Sequence, residues 1–295
     1  MKSNKPIPTF DIYKTLDKHV PFSFVKLEEG YSPYDASAAH RHNYFEILFF
    51  NGSGGFHEID FTIYPIEKNA LHFISPEQVH LLRRKKSVTG FVVSFNLEFC
   101  IGQSAGLEFI NSFPFFNQID SVPIVRLQDP EQLRQVSDLF VKISQEFNND
   151  AEDKATALFS YLSILLIQAK RNFKHINTEG KLISAPSELT RKFKSLAEQN
   201  FRSIKTVHEY ADLLNISAGH LNDTVKKESG KTASELIHQL VLLEAKRLLY
   251  HSPKSVKEIA FELNYENTSH FNKFFKTHTQ QTPLQFRELI REKYH

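Results

Sequence analysis

The chain has 295 residues, 41% of them hydrophobic and 24% charged, with a formal net charge of +2. That length suits two domains of ordinary globular composition and excludes a disordered or fibrous chain. One cysteine, Cys100, excludes an intrachain disulfide framework and a multi-cysteine zinc site. A reducing compartment follows, and the start MKSNKPIPTFDIYKTL lacks the apolar run of a signal peptide, so the expected location is the cytoplasm. No stretch approaches the ~20 apolar residues of a membrane span. The charge is unevenly spread: residues 187–295 carry 17 Lys/Arg against 13 Asp/Glu, and the first 186 carry 19 against 21. The C-terminal third is the basic part, as a polyanion partner requires.

From about Phe22 to Phe95 the hydrophobic pattern alternates, as in His57, Ile59, Phe61 and Ile63 against Glu58, Asp60, Thr62 and Tyr64. This predicts half-buried strands. Turn signals at residues 51–55 (Asn-Gly-Ser-Gly-Gly), 67–69 and 75–76 space them as an antiparallel sandwich or barrel. The basic run Arg83-Arg84-Lys85-Lys86 falls between strands and reads as a solvated loop, with a nucleic-acid or effector contact as the alternative. Cys100, between Phe99 and Ile101, reads as a small buried hydrophobe.

After Pro123 the period lengthens. Asp129-Pro130 offers a helix cap and first turn, and Leu133, Val136, Phe140, Ile143 and Phe147 follow at helical spacing. A second helix over about 152–173 carries Leu158, Leu162, Leu165, Leu166 and Ala169. The stripes can pair with each other, with the strands, or across two chains. If the first lies on the surface, it predicts a homodimer. Residues 175–187 are polar and broken by glycine and proline, which sets a linker at 177–187 between a first domain of 1–176 and a second of 188–295.

Beyond the linker the chain repeats itself. Thr206 to Ile216 aligns without a gap on Ser255 to Tyr265, and Leu221 to Lys226 aligns on Phe271 to Lys276 after one inserted residue. Each copy has the logic of a helix-turn-helix. A first helix presents Val207, Tyr210, Ala211 and Leu214, or Val256, Ile259, Ala260 and Leu263. The small alanine lets the next helix cross close above it, and Asn215 or Asn264 can take the left-handed conformation in the turn. Ser217, and Glu266 or Asn267, stand where the second helix needs a cap. That helix keeps Leu221 and Val225, or Phe271, Phe274 and Phe275, inward, and its polar face is the candidate reader of a major groove. In the first copy this face comprises Ser217, Ala218, Gly219, Asn222, Asp223, Lys226 and Lys227; in the second, Asn267, Thr268, His270, Asn272, Lys273 and Lys276. Lys226, Lys227 and Lys276 could be solvated helix faces, but their repeated position favours phosphate contacts. Between the copies, residues 234–250 read as one connecting helix of about 25 Å.

Glu244-Ala-Lys-Arg-Leu-Leu249, Ser255-Val-Lys-Glu-Ile-Ala-Phe-Glu-Leu-Asn-Tyr265, Ser269-His-Phe-Asn-Lys-Phe-Phe-Lys276 and Thr282-Pro-Leu-Gln-Phe-Arg287 resemble the DNA-binding domain of the arabinose-regulator (AraC/XylS) family. The resemblance covers about residues 187–291. It implies a seven-helix domain that grips an asymmetric site on double-stranded DNA, and contact with RNA polymerase. Asn264 and Gln280 stand where the family has glycine, and Asp223 and Gly219 stand where it often places basic or larger readers.

His40-Arg-His42, Glu46, the glycine-rich segment 51–55 and Pro76 to His80 resemble the signature segments of a cupin barrel. The fold expected is therefore α+β: an N-terminal cupin-like β-barrel followed by helices, then an all-α double helix-turn-helix domain. His40, His42 and Glu46 share parity on a regular strand. With His80 they are expected to line a metal-free pocket for a small polar effector, a sugar or an organic acid, so that no cofactor is called for. A divalent ion and purely structural histidines are the alternatives. The function this assembles is a sequence-specific transcription regulator, an activator, responding to a small molecule, and not an enzyme. The competing readings are a cupin-type metalloenzyme with an appended helical module, and a protein whose helix-turn-helix units bind protein.

Overall fold

In the computed structural model the described residues are 9–10, 21–30, 38–103, 105, 107–117, 122–173 and 186–294. The start of the chain and the linker up to residue 185 lie outside them. Two compact units are present, one formed by Pro8–Asn117 with Ser121–Lys174 and the other containing residues 186–294.

In the first unit, β1 (Thr9–Phe10) pairs in parallel with β3 (Arg41–His42), and β2 (Phe22–Leu27) and β4 (Phe45–Phe50) belong to a larger sheet. β5 (Gly55–Ile59), β6 (Thr62–Pro65) and β8 (His80–Arg84) form a three-stranded sheet in the order β6-β5-β8. β7 (Ala70–Ile74), β9 (Gly90–Phe95) and β10 (Ile124–Arg126) complete the five-stranded antiparallel sheet, β10-β7-β4-β9-β2. Strand alternation divides the residues of this sheet between two cores. Leu48, Phe50, Ile74 and Val92 meet Ile59 and Leu82 of the smaller sheet, while Ile47, Phe49, Leu71, Phe73, Val93 and Phe95 turn the other way. The result is a cupin-like double sheet whose two halves are separate hydrogen-bonded sheets among the described residues.

The face turned away from the small sheet is covered by helices. α1 (Leu97–Gly102), α2 (Leu107–Asn111), α3 (Pro130–Phe147) and α4 (Lys154–Asn172) follow in order. Asp129 caps α3, its side chain accepting from the Glu131 amide, and Pro130 opens the helix as expected. The stripe on α3 does not face solvent. Val136, Phe140 and Ile143 are buried in the first core, with Leu133 and Phe147 packed against it, so the dimer argued from this stripe loses its footing. Cys100 is buried in the same core, and burial raises its thiol to about 12.

Two further expectations change. The alternation through His57 and Ile63 is interrupted by a turn at Asp60 and Phe61, whose φ angles are 46° and 70°, and Ile63 is exposed. This two-residue hairpin carries neither Asn-Gly nor Asp-Gly, the usual residues for such angles. Tertiary bonds hold it: Asp60 accepts from Gln78 Nε2 at 2.8 Å and from the Val79 amide at 3.2 Å, and its own amide donates to the Val79 carbonyl. The basic run is likewise not a simple loop. Arg83 and Arg84 belong to β8, and Arg84 donates to the carbonyls of Glu28, Val88 and Gly30.

The second unit is helical: α5 (Glu188–Asn200), α6 (Val207–Leu213), α7 (Ala218–Ser229), α8 (Ala233–His251), α9 (Val256–Glu262), α10 (Thr268–Thr279) and α11 (Pro283–Tyr294). α8 is the connecting helix, 19 residues and so about 28 Å long. Its N-terminal half packs in one core with α5, α6 and α7, its C-terminal half in another with α9 and α10. Each helix-turn-helix therefore has its own core, strung on one shared helix.

Candidate nucleic-acid interface and sensing site

The sequence repeat is a structural repeat down to its caps. α6 and α9 both open with a capping box, Thr206 with Glu209 and Ser255 with Glu258. Both end in an asparagine of positive φ, Asn215 at 55° and Asn264 at 54°, after which the amides of Ile216 and Tyr265 return to the carbonyls of Ala211 and Ala260. α7 and α10 then start from Ser217 and Asn267, which accept from the amides of His220 and His270; Asn267, not Glu266, is the second cap. Both helices end on a left-handed residue, Gly230 and Gln280. An asparagine tolerates that conformation far better than a β-branched residue would, which is why it can stand at 215 and 264.

With Leu221 and Val225, or Phe271 and Phe275, buried, the opposite face of each second helix is open. Ser217, Gly219, Asp223, Lys226 and Lys227 of the first unit are exposed, as are Asn267, His270, Asn272, Lys273 and Lys276 of the second; Ala218 and Thr268 are half-buried. Matching positions across the repeat differ in chemistry. Lys273 stands where the first unit has Asp223, and Lys276 matches Lys226. Asn222 is half-buried and its Oδ1 accepts from the Ala233 amide, so it serves the start of α8, whereas its counterpart Asn272 is exposed. A Cβ on Gly219 would meet nothing within 4 Å, so no intramolecular contact demands the glycine. His220 and Ser269 are also exposed on these faces. Sequence reasoning omitted both, although the repeat pairs His220 with His270.

Away from this face, polar side chains close α8 and tie one helix-turn-helix to the other. Glu244, buried on α8, receives Arg202 at 2.5 Å and lies 3.6 Å from Arg247. Arg287 donates to the carbonyls of Leu249 and Lys254, closing the C-terminal end of α8. Lys205, just before the first unit, donates to the carbonyls of Leu263 and Asn264 in the turn of the second, and sits 3.7 Å from the centroid of the Tyr265 ring. Burial lowers the Lys205 ammonium to about 8, while the two carbonyls and the ring face partner its charged form. Asn264 Nδ2 completes the junction by donating to the Ser203 carbonyl. Lys205→Ala is expected to cost the second unit about 1.5–3 kcal/mol, the range for hydrogen bonds to a charged group. Chemical denaturation of the chain, followed by circular dichroism, checks this; an unchanged midpoint would deny the junction its role.

The four residues expected to line an effector pocket lie between the two sheets of the N-terminal unit. His42 closes β3, Glu46 lies on β4 and His80 opens β8; His40 is tied to His80 by reciprocal backbone bonds. The strand is not regular between them, because it bends at Asn43 and Tyr44, yet His42 and Glu46 still face the same interior. All four side chains are buried, at 7, 0, 1 and 1% exposure for His40, His42, Glu46 and His80. They touch one another: ring centroids are 4.2 Å apart for His40 and His80 and 4.9 Å for His42 and His80. His42 Nε2 is 3.2 Å and His80 Nε2 4.0 Å from Glu46 Oε2, and Ser94 donates to Glu46 Oε1 at 3.2 Å.

Two more buried histidines, absent from the sequence reading of this site, extend the cluster. His57 Nε2 lies 3.1 Å from His80 Nδ1, and His57 Nδ1 lies 3.2 Å from His72 Nδ1. Burial, reinforced by the neighbouring imidazoles, holds His57 and His80 well below the ordinary histidine value. Burial also takes His72 down to about 3, with Arg126 contributing. His40 is lowered chiefly by burial, against the opposing pull of Glu46. The rings of this cluster that carry such shifts are therefore neutral near pH 7. The signal for His57 and His72 was their inward parity on β5 and β7, hidden because a neutral histidine in a strand looks like any half-buried residue.

The helix-turn-helix domain family matches this chain over residues 210–289. The chain is 26% identical over 265 residues to the HTH-type transcriptional activator RhaR of Escherichia coli (strain K12), covering 88% of this chain and 90% of that one. It is 23% identical over 261 residues to RhaR of Enterobacter sp. (strain 638), with the same coverage. Among solved structures, ToxT from Vibrio cholerae O395 covers 92% of this chain at 11% identity and a TM-score of 0.41. The C-terminal domain of AraT, a response regulator from Geobacillus stearothermophilus, covers 36% at 25% identity and a TM-score of 0.34.

Proposed function

We infer that this chain, a transcription regulator of the AraC/XylS family, reads an asymmetric DNA site with α7 and α10 and is switched by a ligand bound among His40, His42, Glu46 and His80. The observation that carries the reading is the repeated helix-turn-helix, with matching caps and turns and an open polar face on each second helix. Double-stranded DNA is the partner such faces suit; the exposed Lys226, Lys227 and Lys276 support a reading as phosphate contacts, and the polar face of α10 a reading as the one that meets base edges. Relatives named as transcriptional activators, aligned over most of the chain, support activation, and with it contact to RNA polymerase. They favour this reading over a metalloenzyme carrying a helical module. No helix among the described residues is long and apolar enough to cross a membrane, and work on DNA assigns the chain to the cytoplasm.

A homodimer belongs to this proposal on a different footing from the buried stripe. Ile164 and Ile167, one turn apart on α4, are 45 and 41% exposed, an apolar strip that a second copy would cover. Ile164→Glu is then expected to convert a sedimenting dimer to monomer at tens of micromolar and to remove the concentration dependence of its melting. A dimer that survives the substitution would remove this face from the interface.

A gel-shift experiment with pooled genomic fragments tests the function itself. The chain should retain a small subset of fragments in the presence of excess nonspecific DNA; retention of none, or of all alike, would count against it.

A further inference from the structure

The two helix-turn-helix units have separate cores on the two halves of α8, so their relative placement rests on that helix and on any other link between them. A change of about 7° in the direction of α8, over its length of about 28 Å, carries its far end roughly 3.4 Å, one base-pair step along DNA. Helices of ordinary proteins curve with radii of about 60–100 Å, which over this length amounts to a turn of roughly 16–27° with the hydrogen bonds kept. The helix alone therefore does not hold the second unit to within one base pair of the first.

A second connection runs beside it. The loop between α5 and α6, residues 201–205, packs Phe201 against both cores. From the same loop Arg202 donates to Glu244 on the C-terminal half of α8, the Ser203 carbonyl accepts from Asn264 Nδ2, and Lys205 donates to the carbonyls of Leu263 and Asn264. Tyr210 anchors the loop in its own unit by donating to the Ile204 carbonyl. The connecting helix, the loop and the turn of the second unit thus close a triangle, which resists bending where a single rod does not.

The repeat shows that this crossing is no general feature of the motif. Lys254 stands in the second copy where Lys205 stands in the first, and it pairs at 2.6 Å with Glu262 on the first helix of its own unit. The first copy has Leu213 at the position of Glu262, so Lys205 lacks that local carboxylate and spans to the other unit. A glycine at 264 could not take part, because the bond to Ser203 runs from the asparagine side chain.

We propose that the loop of residues 201–205 is a strut that sets the spacing and phase of α7 and α10 on DNA, so that Arg202, Lys205 and Asn264 determine which sites the chain accepts by placing the reading helices. They are positioning residues, and the inference rests on the DNA reading above. One inserted base pair turns the far half of a site by roughly 34–36° and moves it about 3.4 Å. A braced chain cannot follow that displacement, whereas an unbraced one can.

A duplex retained by the full chain is rebuilt with one base pair inserted or removed between the segments protected under α7 and α10. Affinities are compared for the natural chain, Lys205→Met and Asn264→Gly. Methionine keeps the length of the lysine stem, and glycine keeps the left-handed turn. For the natural chain either change of spacing is expected to weaken binding about tenfold or more, the scale of one lost base contact. In both variants that ratio should shrink to about threefold or less, as the freed unit regains its contacts. A natural chain that tolerates all three spacings alike overturns the strut, and so do variants that lose affinity by one common factor on every duplex, as a merely structural role would give. Geometry is read on the same chains without DNA. Spin labels are attached at Lys227→Cys and Thr277→Cys, exposed on α7 and α10, while the native Cys100 is buried. Their distance distribution by electron paramagnetic resonance should be narrow in the natural background and broader with Lys205→Met or Asn264→Gly; equal widths overturn the strut. A chain that shows this broadening but binds no duplex refutes the DNA reading and leaves the strut standing.

Discussion

A Phe140→Ala chain should lose about 3–5 kcal/mol of stability in its N-terminal unit, the cost of truncating a large buried aromatic side chain. Phe140 is fully buried, and its ring stacks on Phe49 at 5.3 Å and on Phe91 at 5.5 Å, at interplanar angles of 13° and 17°. Those two residues come from neighbouring strands of the five-stranded sheet, so the substitution removes the contact that seats α3 on β4 and β9. The same stripe read as a surface would give a different result. A side chain at a dimer interface stabilises in proportion to association, so its loss would lower the melting temperature more as the protein is diluted. The buried position predicts a loss that does not depend on concentration. Melting at two protein concentrations a hundredfold apart, roughly a 2.7 kcal/mol lever by mass action, separates these outcomes.

Lys273→Ala should weaken binding to a specific fragment by about 1–3 kcal/mol, or about 5- to 150-fold, and weaken nonspecific binding much less. Lys273 lies in the first half of α10, exposed, beside exposed Asn272 and one turn before Lys276. A lysine there can donate to guanine O6 and N7, and an asparagine can pair with adenine. In the first unit the matching residues cannot do the same. Asp223 is exposed and carries a negative charge that phosphates repel, and Asn222 is engaged at the start of α8. Alanine at Asp223 should therefore leave sequence preference largely intact and raise affinity slightly. Competition titrations with specific and nonspecific duplexes measure both; an equal fall in the two affinities would make Lys273 a phosphate contact.

The C-terminal unit was legible because its information is local and written twice. The capping residues, the asparagine turns and the buried alanines each act within a few positions of themselves, and the second copy confirmed the first. The N-terminal unit was legible in class but not in detail, because its decisive contacts join distant residues. The turn at Asp60 and Phe61 depends on Gln78 and Val79, and Arg84 is held by the carbonyls of Glu28 and Gly30. Neither relation leaves a trace in periodicity. The stripe on α3 was visible as a stripe, yet which surface covers it depends on where β4 and β9 lie. For the buried histidine cluster, parity brought His42 and Glu46 together, while His57 and His72 became members only when β5 and β7 were set opposite each other.

Hydroxyl-radical footprinting on a fragment selected by the chain tests the central claim, that two unequal helix-turn-helix units read one DNA site. The account predicts two protected segments on one face of the duplex, about 10–10.5 base pairs apart, as recognition helices in successive major grooves require. In the Lys273→Ala chain, protection should fade at the segment under α10 and persist at the one under α7. A single protected segment, or equal fading of both, would contradict it.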